Sequence, residues 1–390
     1  MNQQWREFAE SIKKLYGKEF VSLHEPTFNE KEVEYVTDCV KSGWVSSVGS
    51  YVTRFEEDLA KFVGVKRAVA VVNGTAALHI ALKIVGVEEN DEVLMPSLTF
   101  IATANAVSYL QAIPHFVDVN KETLGVDPFK LEKYLNKIAE LRQGELYNKH
   151  TNRRIKALVP MHTFGHPCMM DELVALCEKY KIVLVEDAAE SLGSYYKGKH
   201  TGTFSKVSAM SFNGNKIITT GGGGAILTDD ETLADYAKHL TTTAKVPHRW
   251  EFIHDEIGFN YRMPNINAAL GCAQLEKMND FLKQKRGLTI IYEGLLKNIE
   301  GIRLFKEPIE TMSNYWLQVM LLDEQYDRNE VLNFLNEQGV MSRPIWTPIH
   351  ELEMYKDCPK MNLFTTQQLK QRMINIPSTP SEVKKWIQHL

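Results

Sequence analysis

The chain has 390 residues, 44% of them hydrophobic and 24% charged, enough for a large core, and one large domain with a smaller one is the expected division. A formal net charge of −4, with no Lys/Arg-rich run carrying interleaved aromatics, argues against a nucleic acid partner. The opening Met1-Asn-Gln-Gln-Trp-Arg-Glu-Phe lacks a basic region ahead of an apolar stretch, and no span reaches bilayer length, so a cytoplasmic protein with no membrane partner is expected.

In chain order, Asn29-Glu-Lys-Glu32 reads as a capping box that opens a helix through Val40, with Gly43 able to end it. A second helix is expected over Tyr51 to Phe62. Short β-branched or apolar runs follow at 68–72, 92–95, 113–117, 155–159, 182–185 and 207–211. Helical patterns such as Ala76 to Val85 and Glu172 to Tyr180 lie between them, so the sequence predicts an α/β large domain built on a mostly parallel sheet with helices on both faces. Past Lys285 the character changes to a helix near Tyr292 to Leu296, strands around Ile302 to Phe305 and Tyr315 to Leu322, and a helix over Asn329 to Gln338. This gives an N-terminal helical segment over 1–50, a large domain over 51–284 and a small α+β domain over 285–390. The five cysteines are irregularly spaced, with no Cys-x-x-Cys pair, so neither a disulfide framework nor a metal site is expected.

In an α/β sheet the loops after the strands gather ligands, and here those loops carry the polar chemistry. Gly74 and Thr75 follow the first strand and open a helix, which offers backbone N–H groups to an anion. An isolated Gly-Thr pair reads equally well as a turn with Thr75 as cap. Phe100 ends the next strand's loop and is either a core residue or a cover for something flat. Val185-Glu-Asp187 closes an apolar run with acids. Ser211-Phe-Asn-Gly-Asn-Lys216 precedes Gly221 to Gly224, which fits neither a P-loop nor a dinucleotide fingerprint and implies close backbone approach. Each piece alone is weak. Together a lysine amine, an acid able to hold a pyridine nitrogen protonated, and a serine beside backbone amides make a pyridoxal phosphate site.

These residues, with Thr99-Phe-Ile-Ala-Thr103, Pro160-Met-His-Thr-Phe-Gly-His166, Glu186-Asp-Ala-Ala-Glu-Ser191 and Gly258-Phe-Asn-Tyr-Arg-Met263, resemble the blocks of the DegT-like sugar aminotransferases, fold-type I pyridoxal phosphate enzymes, in order over almost the whole chain. The resemblance implies that Lys216 holds the cofactor covalently, Asp187 pairs with its ring nitrogen, Phe100 covers the ring, and Gly74, Thr75 and Ser211 take the phosphate. It also implies that Asn260 reaches the phosphate of a neighbouring subunit, hence a homodimer with shared active sites. Where relatives often carry glutamine facing the cofactor's phenolic oxygen, this chain has Glu190, a carboxyl that would hold a proton or turn away.

Leu23-His-Glu-Pro26, Trp44-Val-Ser-Ser-Val-Gly49 and Arg343-Pro-Ile-Trp-Thr-Pro-Ile-His350 are similar to the branch that aminates UDP-linked 2-acetamido-4-keto-6-deoxy sugars, of legionaminic acid and bacillosamine type. On that resemblance Arg343 and His350 would contact a diphosphate, Trp346 would pack on sugar or base, and Ser46 and Ser47 would offer donors. Read without the resemblance, Trp346 between prolines is a buttress of the small domain and His350 a turn cap. Glutamate is the expected amino donor, with pyridoxamine phosphate as the carried form. Dehydratase relatives replace the lysine with histidine, and Lys216 argues against that reaction. A non-catalytic sensor on the same fold would not need Lys216, Asp187 and Ser211 together.

Overall fold

The computed structural model describes residues 3–380, so the last ten residues of the expected small domain lie outside the described residues. Seven strands form the central sheet: β1 (Arg67–Val71), β2 (Glu92–Pro96), β3 (Ile113–Val117), β4 (Ile155–Leu158), β5 (Val183–Asp187), β6 (Val207–Ser211) and β7 (Gly224–Thr228). Their spatial order is β1-β7-β6-β5-β4-β2-β3. All neighbours are parallel except those of β7, which runs antiparallel to both β1 and β6. β7 is not among the strands expected from the sequence, because two of its five residues are Gly224 and Ala225 and its apolar run is only three residues long.

Side chains alternate across the sheet. Val69 and Val71 enter one core with Leu78 and Leu82, while Ala68 and Ala70 enter another with Phe55 and Leu59. Burial on both faces explains why these strands read as unbroken apolar runs. The first of these cores takes helix α4 (Gly74–Ile84), the second takes α3 (Ser50–Val63). The expected capping box is present: Asn29 caps α2 (Glu30–Ser42), Glu32 bonds back to the Asn29 N–H at 2.8 Å, and Gly43 ends the helix at φ 78.

Helix α1 (Gln3–Tyr16) does not stand apart. It buries Trp5, Phe8 and Ile12 in the same cluster as Tyr292, Leu322 and Ile376 of the C-terminal part. Helix α6 (Met278–Leu296) is continuous across residue 285, packing Phe281 on the large domain and Leu288, Tyr292 and Leu296 on the small one. The small sheet holds β8 (Ile302–Leu304), β9 (Gln318–Leu322), β10 (Arg343–Pro344) and β11 (Met373–Ile376) in the antiparallel order β8-β9-β11-β10. The strand expected from Tyr315 begins only at Gln318, because Tyr315 is left-handed (φ 47) and Asn314 is drawn to the carbonyls of Glu190 and Leu192 at 2.9 Å each.

Candidate active site

The strand ends converge because Gly224, at the start of β7, lies opposite both Val71 of β1 and Ser211 of β6. A Cβ on Gly224 would come within 2.5 Å of the Asn73 carbonyl, so only glycine lets the chain leaving β1 cross here. That crossing sets Gly74 against Ser211, where a Cβ on Gly74 would lie 2.8 Å from the serine Cβ. Asn73 caps α4 by accepting from the Ala76 N–H at 2.8 Å. The N–H groups of Gly74 and Thr75 therefore start the helix with no partner inside it, beside the Ser211 hydroxyl. This is an anion cradle.

Asp187 ends β5. Its carboxyl accepts from Thr103 Oγ1 at 2.7 Å and from the Ala189 N–H at 3.2 Å, so helix α5 (Ile101–Tyr109) and the turn after β5 fix its orientation. Burial pushes its pKa up, against the pull of those two bonds and of Lys216. A buried carboxyl in this position gains its charge only from a cationic partner. The preceding Glu186 has a different task. It collects the His162 ring and the N–H groups of Gly202, Phe204 and Ser205, at 3.1, 2.6, 2.8 and 2.8 Å, which ties the loops after β4 and β5 together.

Lys216 reaches between two groups. Its Nζ stands 3.9 Å over the ring of Trp316 and 3.4 Å from Glu190 Oε1. Trp316 is held by its indole N–H to Asn215 O at 2.7 Å, which places an aromatic floor from the small domain under a lysine of the large one. Glu190 Oε2 accepts the Phe164 N–H at 2.8 Å. Burial, opposed by Lys216, pushes the Glu190 carboxyl up to about 7. Near neutrality it is divided between the protonated and charged forms, and it does not turn away from the lysine.

The remaining expected residues lie in separate surroundings. Phe100 is 50% exposed ahead of α5, with Trp346 at 6.3 Å edge-on, and Trp346 lies 4.8 Å from Phe164, itself left-handed at φ 56. Arg343 is exposed on β10, and its guanidinium bonds only weakly to its neighbour, Ser342 O, at 3.4 Å. His350 is different: Ser97 Oγ at 2.6 Å and Gln367 Nε2 at 3.0 Å take up both ring nitrogens inside the chain. Ser46 and Ser47 sit in a loop pinned by Asn265, whose N–H donates to Ser46 O at 2.7 Å and whose side chain donates to Trp44 O at 2.7 Å. Asn260 is exposed and bridges to Thr242. Sequence reasoning missed Thr103, Phe164 and Trp316 as site residues. Thr103 was visible one helical turn beyond Thr99, but the fold alone shows what the other two touch.

The donor set fits pyridoxal phosphate. The cradle suits a phosphate, Asp187 lacks the cation that a protonated ring nitrogen supplies, and Lys216 offers an amine on the same side. An α/β sheet with these groups at its strand ends defines a pyridoxal phosphate-dependent transferase. Residues 26–389 match the model of the DegT/DnrJ/EryC1/StrS aminotransferase family, and the chain belongs to that family. It is 39% identical over 363 residues to the GDP-perosamine synthase of Escherichia coli O157:H7, covering 93% of this chain and 94% of that protein. To the putative pyridoxal phosphate-dependent aminotransferase EpsN of Bacillus subtilis it is 38% identical over 343 residues, covering 88% and 84%. Among solved structures, the aminotransferase TlmJ from Streptoalloteichus hindustanus is similar at TM-score 0.82 and 27% identity, over 92% of this chain and 93% of that one. The protein is a pyridoxal phosphate-dependent sugar-nucleotide aminotransferase with a mixed-sheet large domain and a smaller α+β domain. Among the described residues, no helix is long and apolar enough to cross a membrane.

Proposed function

We propose that the enzyme moves an amino group from glutamate to the C4 ketone of a nucleotide-linked 4-keto-6-deoxy sugar. The observation that carries this reading is that Asp187, within electrostatic reach of Lys216, and the Gly74–Ser211 cradle stand at neighbouring strand ends, with Trp316 of the small domain under the lysine. Bound there, the cofactor supplies an aldehyde for the lysine and, once protonated on its ring nitrogen, an electron sink.

The chain's own groups do the rest. Gly74 and Thr75 N–H groups and Ser211 anchor the phosphate. Asp187, oriented by Thr103, holds the proton on the ring nitrogen, and Phe100 covers the ring. Lys216 Nζ, freed by the amino donor, moves a proton at the donor α-carbon and later delivers one to the sugar carbon that becomes C4. Glu190 stands within reach of that amine and is poised to exchange a proton with it, and the aromatic floor of Trp316 keeps water from beneath it. Arg343 grips the diphosphate with its guanidinium fork.

Two nucleotides are in contention. The Trp44 to Gly49 and Arg343 to His350 segments, by their resemblance to the legionaminic acid and bacillosamine branch, favour a UDP-linked 2-acetamido sugar. The 39% identical GDP-perosamine synthase favours GDP. A homodimer with Asn260 completing the neighbour's phosphate site fits the surface. Apolar side chains of the loop before α3, Trp44 and Val48, and of the 245–257 segment, Trp250, Phe252 and Ile257, lie exposed in one subunit.

The test is a panel of UDP-, GDP- and dTDP-linked 4-keto-6-deoxy sugars with glutamate, following 2-oxoglutarate and the mass of the product. One amino sugar nucleotide should form with a clear preference, and Lys216→Ala should lose both turnover and covalently held cofactor while keeping its fold. Turnover with free keto acids alone would overturn the sugar assignment, and activity in Lys216→Ala would overturn the mechanism.

A further inference from the structure

The segment around His24 lies where the two domains meet, and the reaction described above leaves it without a task. Its backbone runs beside the small domain: Val21 N–H donates to Gly339 O at 2.8 Å, Met341 N–H to Val21 O at 2.9 Å, and Ser378 N–H to Leu23 O at 2.7 Å. The carbonyls of Ser378 and Trp316 both receive Lys285 Nζ, the second at 2.8 Å, and the Trp316 ring is the floor beneath Lys216. His24 is thus joined to the reacting amine through a short set of contacts.

Both ring nitrogens of His24 are sealed from solvent, and neither has a hydrogen-bond partner. Asn375 Oδ1 is in the same condition. On β11, Ile374 and Ile376 enter the small domain's own core, whereas Met373 enters the core shared with Phe212 and Trp316. Alternation along the strand puts Asn375 on the Met373 side, facing the large domain. Buried polar groups are almost always paired in a native structure, so these two orphans, on the side of the small domain that faces the large one, mark places where a ligand brings the partners.

The kind of partner follows from the atoms. Burial, with the charges of Lys285 and Lys216, keeps the His24 ring neutral. A neutral imidazole has one donor and one acceptor, and Asn375 Oδ1 is a second acceptor. A carboxylate offers only acceptors, so the amino donor leaves both acceptors unpaired. A hydroxyl or an amide N–H satisfies them.

We propose that His24 and Asn375 hold a hydroxyl or acylamino group of the acceptor sugar and set specificity in the sugar half of the reaction. This rests on the sugar-nucleotide reading given above. The experiment compares wild type, His24→Ala, His24→Gln and Asn375→Ala by calorimetry with UDP-N-acetylglucosamine against UDP and GDP-mannose against GDP, and by rapid mixing of the cofactor-loaded enzyme with glutamate. The alanine variants should bind the preferred sugar nucleotide roughly tenfold more weakly, bind the bare nucleotide as wild type does, and react with glutamate at an unchanged rate. His24→Gln, which keeps a donor and an acceptor, should recover part of the loss. Thermal unfolding of each variant checks that the fold persists, and if His24→Ala does not fold, Asn375→Ala and His24→Gln decide. Equal weakening of nucleotide and nucleotide sugar, an equal loss in the glutamate step, or a wild type that binds both pairs alike would overturn the proposal. A wild type that binds a sugar nucleotide better than its nucleotide but aminates none of the keto sugars would overturn the reaction assigned above and leave the binding arm to decide this one.

Discussion

Glu190 and Lys216 face each other across 3.4 Å, and the same carboxyl takes the Phe164 N–H at 2.8 Å on its other oxygen. Burial raises its pKa from 4.5 to about 7. A carboxyl whose proton affinity rises on folding contributes most below its unfolded value, and that share is lost as the pH climbs through the folded value.

Glu190→Gln is neutral at every pH, so it should escape this loss. The cofactor-free variant should gain on the cofactor-free wild type between pH 4.5 and 7, by about 3 kcal/mol, with the opposing pull of Lys216 already inside that shift. Unfolding midpoints of both proteins across that range check it. A constant difference would mean that the lysine compensates the carboxylate at every pH.

Asp187→Asn tests the group opposite the ring nitrogen. The amide keeps the shape: its oxygen can still accept from the Ala189 N–H and its NH2 can donate to the Thr103 hydroxyl, so cofactor binding should remain detectable. It cannot stabilise a protonated ring, and kcat should fall by two orders of magnitude or more in both half-reactions, the roughly 3 kcal/mol scale of one lost electrostatic group. Near-normal rates would reduce Asp187 to a structural residue.

Much of this was legible in the chain, for reasons that differ by element. The capping box at Asn29 and the strand over Ile113 to Val117 are written in local chemistry and periodicity, and both appear as read. Strand β7 was hidden because its first residue is glycine for a reason that lies elsewhere in sequence, the Asn73 backbone crossing over it. The group comprising Lys216, Trp316 and Glu190 spans 126 residues between its outer members and exists only after the small domain docks, so no spacing announces it. His350 was visible in the sequence, but its partners were not. The resemblance makes it a diphosphate contact and its residue type alone a turn cap, and the fold gives both its nitrogens to Ser97 and Gln367.

Gly74→Ala and Gly224→Ala should fail in different ways. The added methyl at Gly74 would lie 2.8 Å from Ser211 Cβ, in the cradle itself, while Gly74 is an ordinary first residue of a helix. Cofactor affinity should therefore drop at least tenfold, about 1.4 kcal/mol, and because Ser211 Cβ is fixed to the backbone and must shift to admit the methyl, the cofactor-free protein should also lose some stability, less than at Gly224. At Gly224 the methyl would meet backbone atoms of Asn73 at 2.5 Å, which cannot rotate away. That variant should lose several kcal/mol of stability before any question of cofactor arises. Equal effects on affinity and stability at both positions would contradict the cradle.

The shared site can be tested by mixing two inactive proteins. If Asn260 completes the neighbour's phosphate site, Asn260→Ala and Lys216→Ala lesions in one hybrid dimer fall together in one site and leave the other whole. Each variant alone should be nearly inactive. After subunit exchange, roughly a quarter of wild-type activity should return, since half the dimers are hybrids and each has one intact site of two. Exchange is verified independently with differently tagged subunits. If hybrids form and activity stays absent, Asn260 acts within its own subunit and the exposed Trp44 and Phe252 surfaces need another explanation.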